Sequence, residues 1–443
     1  MIKQLLSVLQ KAEAGYSLGI YRIGFGLLMC YSLCRFYYNG WVEACYLEPS
    51  FHFTYQYFHW VRPILDPIWF MHFWVILTAI FAFLVALGWC YRLWITLFFL
   101  SFTYLELIEQ SWYLNHYYFV SIVAFLLIWM PADRRLSIRA FRAKQDPALI
   151  AGWFRTVLRF QITLVYFFAG LAKINKDWIL DAMPLKLWLK AKVDIPLIGD
   201  FMAYDATAYL FSYGGMVYDL SIAFFLWNKR TRPYAFVAVI GFHIMTGVLF
   251  RIGLFPWIMI FGSLIFFSDE EWRRFFEHLK LSRWLRTHAS LVGTAQFPMA
   301  LGVLFGLHLS IQVILPIRHY FYLENHRWTE RYYRFGWNVM LTEKAGTAIF
   351  TIKDKGSDRV WKAYPQSFLT YTQEKQMSYQ PDMIWQFAQY LEKHYQFRES
   401  LDEVEIFVDC RVSYNGQLSR PFLPVDLDLL TTTEDAIYDF VLK

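Results

Sequence analysis

Four stretches of this chain set ionisable side chains inside or beside apolar runs. In VYFFAGLAKINKDW, residues 165–178, an apolar run ends at Lys173, and Lys176, Asp177 and Trp178 follow at once. Tyr166 precedes Lys173 by seven residues, and positions i and i+7 share a helix face. The second stretch is SWYLNHYYF, with Asn115 and His116. The third is FHIMTGVLFRIGLFPW, with His243 within the run and Arg251 in a tight turn. The fourth is RHYFYLENHRWTERYYRFGWNVML, residues 318–341, rich in aromatics and carrying His319, Arg331 and Arg334. Lysine, histidine and tyrosine are general acid–base residue types, so such a set could move protons where lipid meets water. Each cluster also has an ordinary reading. Tyr and Lys anchor helix ends by snorkelling, aromatic belts mark interfaces, and a lone histidine on an apolar face is commonly a satisfied core residue.

The elements that must position these residues are membrane spans. Of 443 residues, 57% are hydrophobic and 21% aromatic, while 18% are charged against about a quarter in soluble domains. The formal net charge of +6 comes without a basic, aromatic-interleaved stripe, which argues against a nucleic-acid partner. Five cysteines form no CxxC pair and no metal-ligand spacing with histidine, so no metal is expected. Cys30, Cys34 and Cys90 read as packed thiols. The first twenty residues read as a short amphipathic helix, not a cleaved signal peptide. Runs able to cross a bilayer fall near 17–38, 68–90, 93–111, 114–131, 156–173, 207–228, 233–250, 252–268 and 296–315. The expected fold is a polytopic α-helical membrane protein of about nine spans over residues 1–316, followed by a small extramembrane α+β domain over 317–443. The charged stretch after Trp178 reads as interfacial or partly re-entrant.

With the N-terminus in the cytoplasm, nine spans place the basic loops 133–144, 228–232 and 269–288 inside, as the positive-inside rule expects. Segment 173–205 is an outside exception, with Lys173, Lys176, Lys186, Lys190 and Lys192. The Asn115-His116, Lys173 and 318–341 clusters, and the turn at Arg251, then meet near the outer face. Convergence of polar groups from several elements is what a site requires. Beyond Pro316, TAIFTIKDKGSDRVWKAY predicts two strands, QPDMIWQFAQYLEKHY a helix opened by Pro381, and EVEIFVDCRVSYNGQLSRPFLPV a hairpin turning at Asn415-Gly416. This domain is expected outside the cytoplasm: in the periplasm for a bacterial inner-membrane protein, in the lumen for an endoplasmic-reticulum one.

Six blocks in order, NHYYF, RFQITLVYFFAGLAKINKDW, SYGGMVYDLS, FHIMTGVLFRIGLF, RWTERYYRFGWNVML and VEIFVDCRVSYNGQLSRPFLP, resemble the vitamin K-dependent gamma-glutamyl carboxylase family in its bacterial form with an HTTM membrane domain. The resemblance implies an enzyme that oxidises reduced vitamin K (phylloquinol or menaquinol) with O2 to the epoxide and couples this to adding CO2 to glutamate. Its partners would be a glutamate-containing protein or peptide and the membrane's lipid and quinone pool. It implies Lys173 as the amine that starts the sequence, favoured as free base by burial, and His116 as the family's essential histidine. Asn115, Tyr166, His243 and Arg251 fall in or beside matching blocks. Trp328, Tyr333 and Trp337 fall in the region that handles quinol and glutamate. Animal relatives carry a lysine pair where this chain has Ala172-Lys173, a histidine at Thr342, and a cysteine at Tyr390, which leaves Cys45 without that disulfide partner. They also have a longer C-terminal region used in substrate recognition. Quinol oxidation without protein carboxylation, and a non-catalytic lipid-binding or transport protein, remain the alternatives.

Overall fold

The computed structural model describes residues 12–143, 148–250, 252–280, 298–322 and 324–442. The expected N-terminal helix falls largely on residues 1–11, and Arg251 on a single position, both outside the described residues. The membrane domain contains helices α1 (Tyr16–Tyr38), α2 (Trp69–Leu87), α3 (Tyr91–Ile108), α4 (Asn115–Ile128), α5 (Trp153–Ala172), α6 (Asp205–Trp227), α7 (Arg232–Leu249), α8 (Phe255–Ser263) and α9 (Met299–Ile317). All nine expected runs are helical, but only seven of the helices are long and apolar enough to cross a membrane. Helix α4 has 14 residues and rises about 21 Å, short of a hydrocarbon core of about 30 Å. Helix α8 has nine residues before a 3-10 turn. Both sit beside the polar clusters, so their apolar character serves internal packing around a site.

Close approach of backbones holds the bundle, because lipid offers no hydrophobic drive between helices. A Cβ on Gly26 of α1 would stand 2.6 Å from Ala82 O on α2, so only glycine permits that crossing. Arg22, fully buried, donates to the carbonyls of Ala132 (3.0 Å), Val85 (2.7 Å), Leu136 (2.5 Å) and Ala86, and so ties α1 to the end of α2 and to the loop after α4. Cys34 and Cys90 are exposed and Cys30 is half-buried, which corrects the expectation of packed thiols: these positions lie on the outer, lipid-compatible surface of the bundle.

The C-terminal domain is a four-stranded antiparallel sheet, order β2-β1-β3-β4, from β1 (Lys344–Asp354), β2 (Val360–Ala363), β3 (Val404–Tyr414) and β4 (Arg420–Pro421), covered by helix α10 (Pro381–Glu399). Alternate residues of β3, from Val404 through Ile406, Val408, Cys410 and Val412 to Tyr414, are buried, the period-2 pattern of a strand with one covered face. The Asn415-Gly416 turn forms with both residues at positive φ, 48° and 76°. Its return strand is only two residues long, and the turn packs against the membrane domain. Tyr414 Oη donates to Asp177 Oδ2 at 2.6 Å, and Gly416 lies against Leu187.

That contact is one of several that dock the domain on the membrane bundle. Gln110 Nε2 donates to Asp382 Oδ2 (2.7 Å), Gln373 Nε2 to Glu109 Oε2 (2.9 Å), and Gln386 Nε2 to both Thr54 O (2.8 Å) and Glu434 Oε1 (2.8 Å). Burial raises Glu109 and Glu434 from the ordinary 4.5 to about 7; at Glu434 the nearby Asp382 adds to this. A carboxyl whose folded pKa is raised binds more protons folded than unfolded between those values, so stability falls as pH rises from about 4.5 to 7. Glu434→Gln removes one such group and keeps an acceptor for Gln386. Its melting temperature should match the wild type near pH 4 and exceed it at pH 8; parallel curves across that range would refute this.

Candidate functional site

The local sequence around Lys173 explains its own geometry. Gly170 lets α5 approach α6 so closely that a Cβ there would stand 2.8 Å from Leu220 N. The next residue back along α6 is Asp219. Lys173, just past the end of α5, donates through Nζ to Asp219 Oδ2 at 2.8 Å and to Ala169 O at 3.2 Å. Asn175 then caps the short helix Lys176–Ile179 by accepting from Trp178 N, which turns Trp178 back over the amine, 5.4 Å from ring centroid to Nζ. Trp178 is locked there by donating Nε1–H to Ser212 O and accepting from Ser212 Oγ. Lys173 and Asp219 are 6% and 7% exposed. Burial therefore acts on an ion pair, where the sequence reading considered a lone amine.

The pair lies on the wall of a cavity of about 420 Å³ between α5, α6, α7 and α8, with Met340 and Val339 at one side. Its surface is almost wholly apolar, with Phe211, Phe242, Phe250 and Phe255 prominent. The polar groups on it include Tyr166 and His243, bonded Oη to Nε2 at 2.9 Å. His243 Nδ1 is buried without a partner. His116 is not on this wall. It is buried behind Phe255, whose ring centroid lies 6.1 Å from that of His116 and 5.7 Å from that of His243.

A second cavity, about 220 Å³ and polar, lies between the bundle and the C-terminal domain. Asn115, Tyr333, Arg334, Asn338, Lys344 and Tyr379 are on its wall. Asn115 Nδ2 donates to Asn338 O, and Tyr113 Oη donates to Asn115 Oδ1 and accepts from Phe335 N. Arg334 donates Nη1–H to Asp382 at 2.6 Å, while its Nη2 is buried with no partner. Burial opposes the Arg334 charge, but Asp382 more than offsets it and holds the guanidinium above its ordinary pKa. Lys344 is paired with Glu330 at 2.8 Å; burial pushes its pKa down and Glu330 opposes that.

Met340 is on the wall of both cavities. The segment that carries it holds five non-glycine residues at positive φ: Glu330, Tyr332, Phe335, Trp337 and Met340. Such backbone costs of order 1–3 kcal/mol per residue and clusters at functional sites.

The expected residues thus divide. Lys173, Tyr166 and His243 share the apolar cavity; Asn115 and Tyr333 share the polar one. Trp337 is fully buried against Tyr118, ring centroids 5.1 Å apart, and Trp328 lies in the core of the C-terminal domain, its Nε1 donating to Leu442 O. Among the described residues, no group of three or more His, Cys, Asp or Glu is placed to hold a metal. The sequence pattern singles out Arg334 but neither Asp219 nor Met340. Asp219 did carry a signal: a carboxylate in the apolar run GMVYDLS needs a buried partner.

These features define an integral membrane protein with one cavity inside its helical domain and a second between that domain and the small C-terminal domain, Met340 lining both. The HTTM domain model matches residues 11–272, more than half of the chain, and the model of the vitamin K-dependent gamma-carboxylase lumenal domain matches residues 298–440. The chain belongs to the vitamin K-dependent gamma-carboxylase family. No solved structure matches it.

Removing one member of a buried ion pair strands the other and costs about 3–5 kcal/mol, while an apolar pair in its place is often neutral. Asp219→Ala should therefore lower the melting temperature, and the double variant Lys173→Met/Asp219→Leu should recover it, with both inactive. A double variant as unstable as Asp219→Ala would show that the pair contributes more than mutual neutralisation.

Proposed function

We propose that the protein couples oxidation of a reduced vitamin K-type quinol by O2 to carboxylation of a glutamyl side chain. The observation that carries this reading is the meeting, at Met340, of an apolar chamber holding an amine with a polar chamber holding an unpartnered arginine donor. The apolar chamber fits a fused aromatic ring in size and character, since small-molecule sites run about 300–1,000 Å³. Lys173, Asp219, Tyr166 and His243 would hold the ring's oxygens. When bound, the quinol supplies, on reaction with O2, a base strong enough for a γ-carbon proton, which no side chain matches.

The chain's own residues do the rest. Lys173 Nζ passes its proton along the existing hydrogen bond to Asp219 Oδ2, which frees the amine to take a phenolic proton. The phenyl walls exclude water, which would quench a strong base. Tyr166 and His243 offer an O–H and a ring nitrogen to a second oxygen. In the polar chamber, Arg334 Nη2 donates to the glutamyl carboxylate, with Tyr333 and Asn115 beside it. Met340 is where the γ-carbon meets the apolar chamber. The balance is one quinol, O2, CO2 and glutamyl group to one epoxide, water, γ-carboxyglutamyl group and proton. Behind Phe255, His116 positions that ring and, through it, the His243 side of the cavity.

The polar chamber and the C-terminal domain lie outside the cytoplasm in this reading. Ala12–Glu13 pairs with Ile150–Ala151 and Gly15 N donates to Asp269, which supports a crossing by both α4 and α8; nine crossings then put the C-terminal domain opposite the basic loops at 133–144 and 228–232. A reporter fused after Lys443 should be active only in the periplasm or lumen; cytoplasmic activity would overturn the sidedness.

The catalytic assignment is tested with purified protein, reduced menaquinone, O2, labelled CO2 and a Glu-containing peptide. Wild-type protein should form epoxide and labelled γ-carboxyglutamate; epoxide alone would favour quinol oxidation without carboxylation. Lys173→Ala and Lys173→Arg should both be inactive, because arginine stays protonated at any usable pH. Near-normal turnover by the arginine variant would reduce Lys173 to a membrane anchor.

A further inference from the structure

The apolar cavity has one wall that faces lipid. Helices α6 and α7 run antiparallel, and Tyr218 closes their seam by stacking on Phe242, ring centroids 3.8 Å apart and planes 15° apart. One turn toward the N-terminus of α6 come Gly215 and Gly214; one turn toward the C-terminus of α7 come Met245 and Thr246. All four are on the cavity wall. A Cβ built on Gly214 or Gly215 meets no atom within 4 Å. Protein interiors are close-packed, and a glycine in a tight helix contact is normally filled by its neighbour, as Leu220 fills the space at Gly170. Here the space is left open. The same stretch of wall reaches the outside of the bundle: Leu210 and Met245 are 70% and 36% exposed while lining the cavity. Around them α6 and α7 expose Val217, Ile244 and Val248, a surface suited to acyl chains.

A polyprenyl-bearing quinol presents two ends with opposite needs. Its ring oxygens suit the polar groups at Lys173 and Tyr166. Its tail must stay in apolar surroundings, at about 0.8 kcal/mol for each CH2 otherwise exposed to water. Past Met340 the next space is the polar chamber, which a hydrocarbon tail would have to desolvate. Between α6 and α7 the next space is lipid.

We propose that the opening beside Gly214 and Gly215, above the Tyr218–Phe242 stack, is the passage by which the quinol's isoprenoid tail leaves the cavity for the bilayer. This rests on the reading of the cavity as the quinol site. Gly214 and Gly215 set tail tolerance, and the passage is also the route by which quinol enters and oxidised product leaves without crossing water.

Two photoreactive naphthoquinones test this with the full chain in lipid nanodiscs, one with an azide on the ring and one with a diazirine on the first isoprene unit. The ring probe should label the surroundings of Lys173 and Tyr166, and the tail probe residues 210–215 or 245–246, both competed by unlabelled menaquinone. Ring labelling in the cavity with tail labelling on α8 or at 339–340 would overturn the passage and leave the quinol site standing. If neither probe is competed, the quinol site and the passage fall together. Gly215→Leu gives a second readout. Leucine favours helix over glycine, so folding is not at risk from propensity. The added side chain should weaken binding of menaquinone about tenfold more than binding of tail-less menadione, the factor a filled hydrophobic subsite is worth. Equal loss for both ligands would place Gly215 against the ring and contradict the assignment.

Discussion

An ammonium and a carboxylate held 2.8 Å apart at the edge of an apolar cavity impose a condition on everything around them. Each charge alone would cost several kcal/mol to bury, so neither helix can carry its ionisable residue without the other. Helices α5 and α6 must cross where Asp219 meets Lys173, and Gly170 is the residue that lets them. The chain after Lys173 must turn at once, and Asn175 caps that turn. Trp178 must then cover the amine, and its lock to Ser212 returns the chain to α6. An otherwise weak pattern of small residues, a lysine and a tryptophan becomes one mechanical unit.

The same unit fixes the second chamber. Asp177 lies between the capping asparagine and the tryptophan, and it accepts from Tyr414 at the end of β3. The C-terminal sheet is thereby registered to the amine through four residues of chain. The segment 330–340 fills the space between, with five left-handed non-glycine residues. Regular structure could not thread that gap while presenting Arg334 to one side and Met340 to both chambers. Docking contacts at Gln110, Gln373 and Gln386 over-determine its position, which is what strained backbone requires.

Much of this architecture was readable in the residues. Apolar runs located all nine helices, and the strand and helix patterns of the C-terminal domain were found where expected, because period and turn chemistry are local. Helices α4 and α8 are shorter than the apolar runs that predict them, because hydropathy does not register where the chain leaves the helix. The hairpin forms at Asn415-Gly416 as its turn residues predict, but the bonds of Tyr414 and Asn415 to Asp177 are contacts no local pattern contains. Lys173, Tyr166 and His243 were legible as polar residues in apolar runs. Asp219, in GMVYDLS, is equally legible on that ground. Of the polar chamber, Asn115, Tyr333 and Arg334 are legible as polar clusters that converge near one face; Lys344 and Tyr379 are not, since they join them only once the domain is docked.

If the two chambers act as one site, γ-carbon deprotonation depends on quinol oxidation next door. A peptide deuterated at the glutamyl γ-carbon tests it most directly, in the absence of CO2, with the purified wild-type protein. Loss of γ-deuterium to solvent is expected only when reduced quinol and O2 are both present, in proportion to epoxide formed. Deuterium loss without quinol, or epoxide formed while the peptide keeps its full deuterium content, would contradict it.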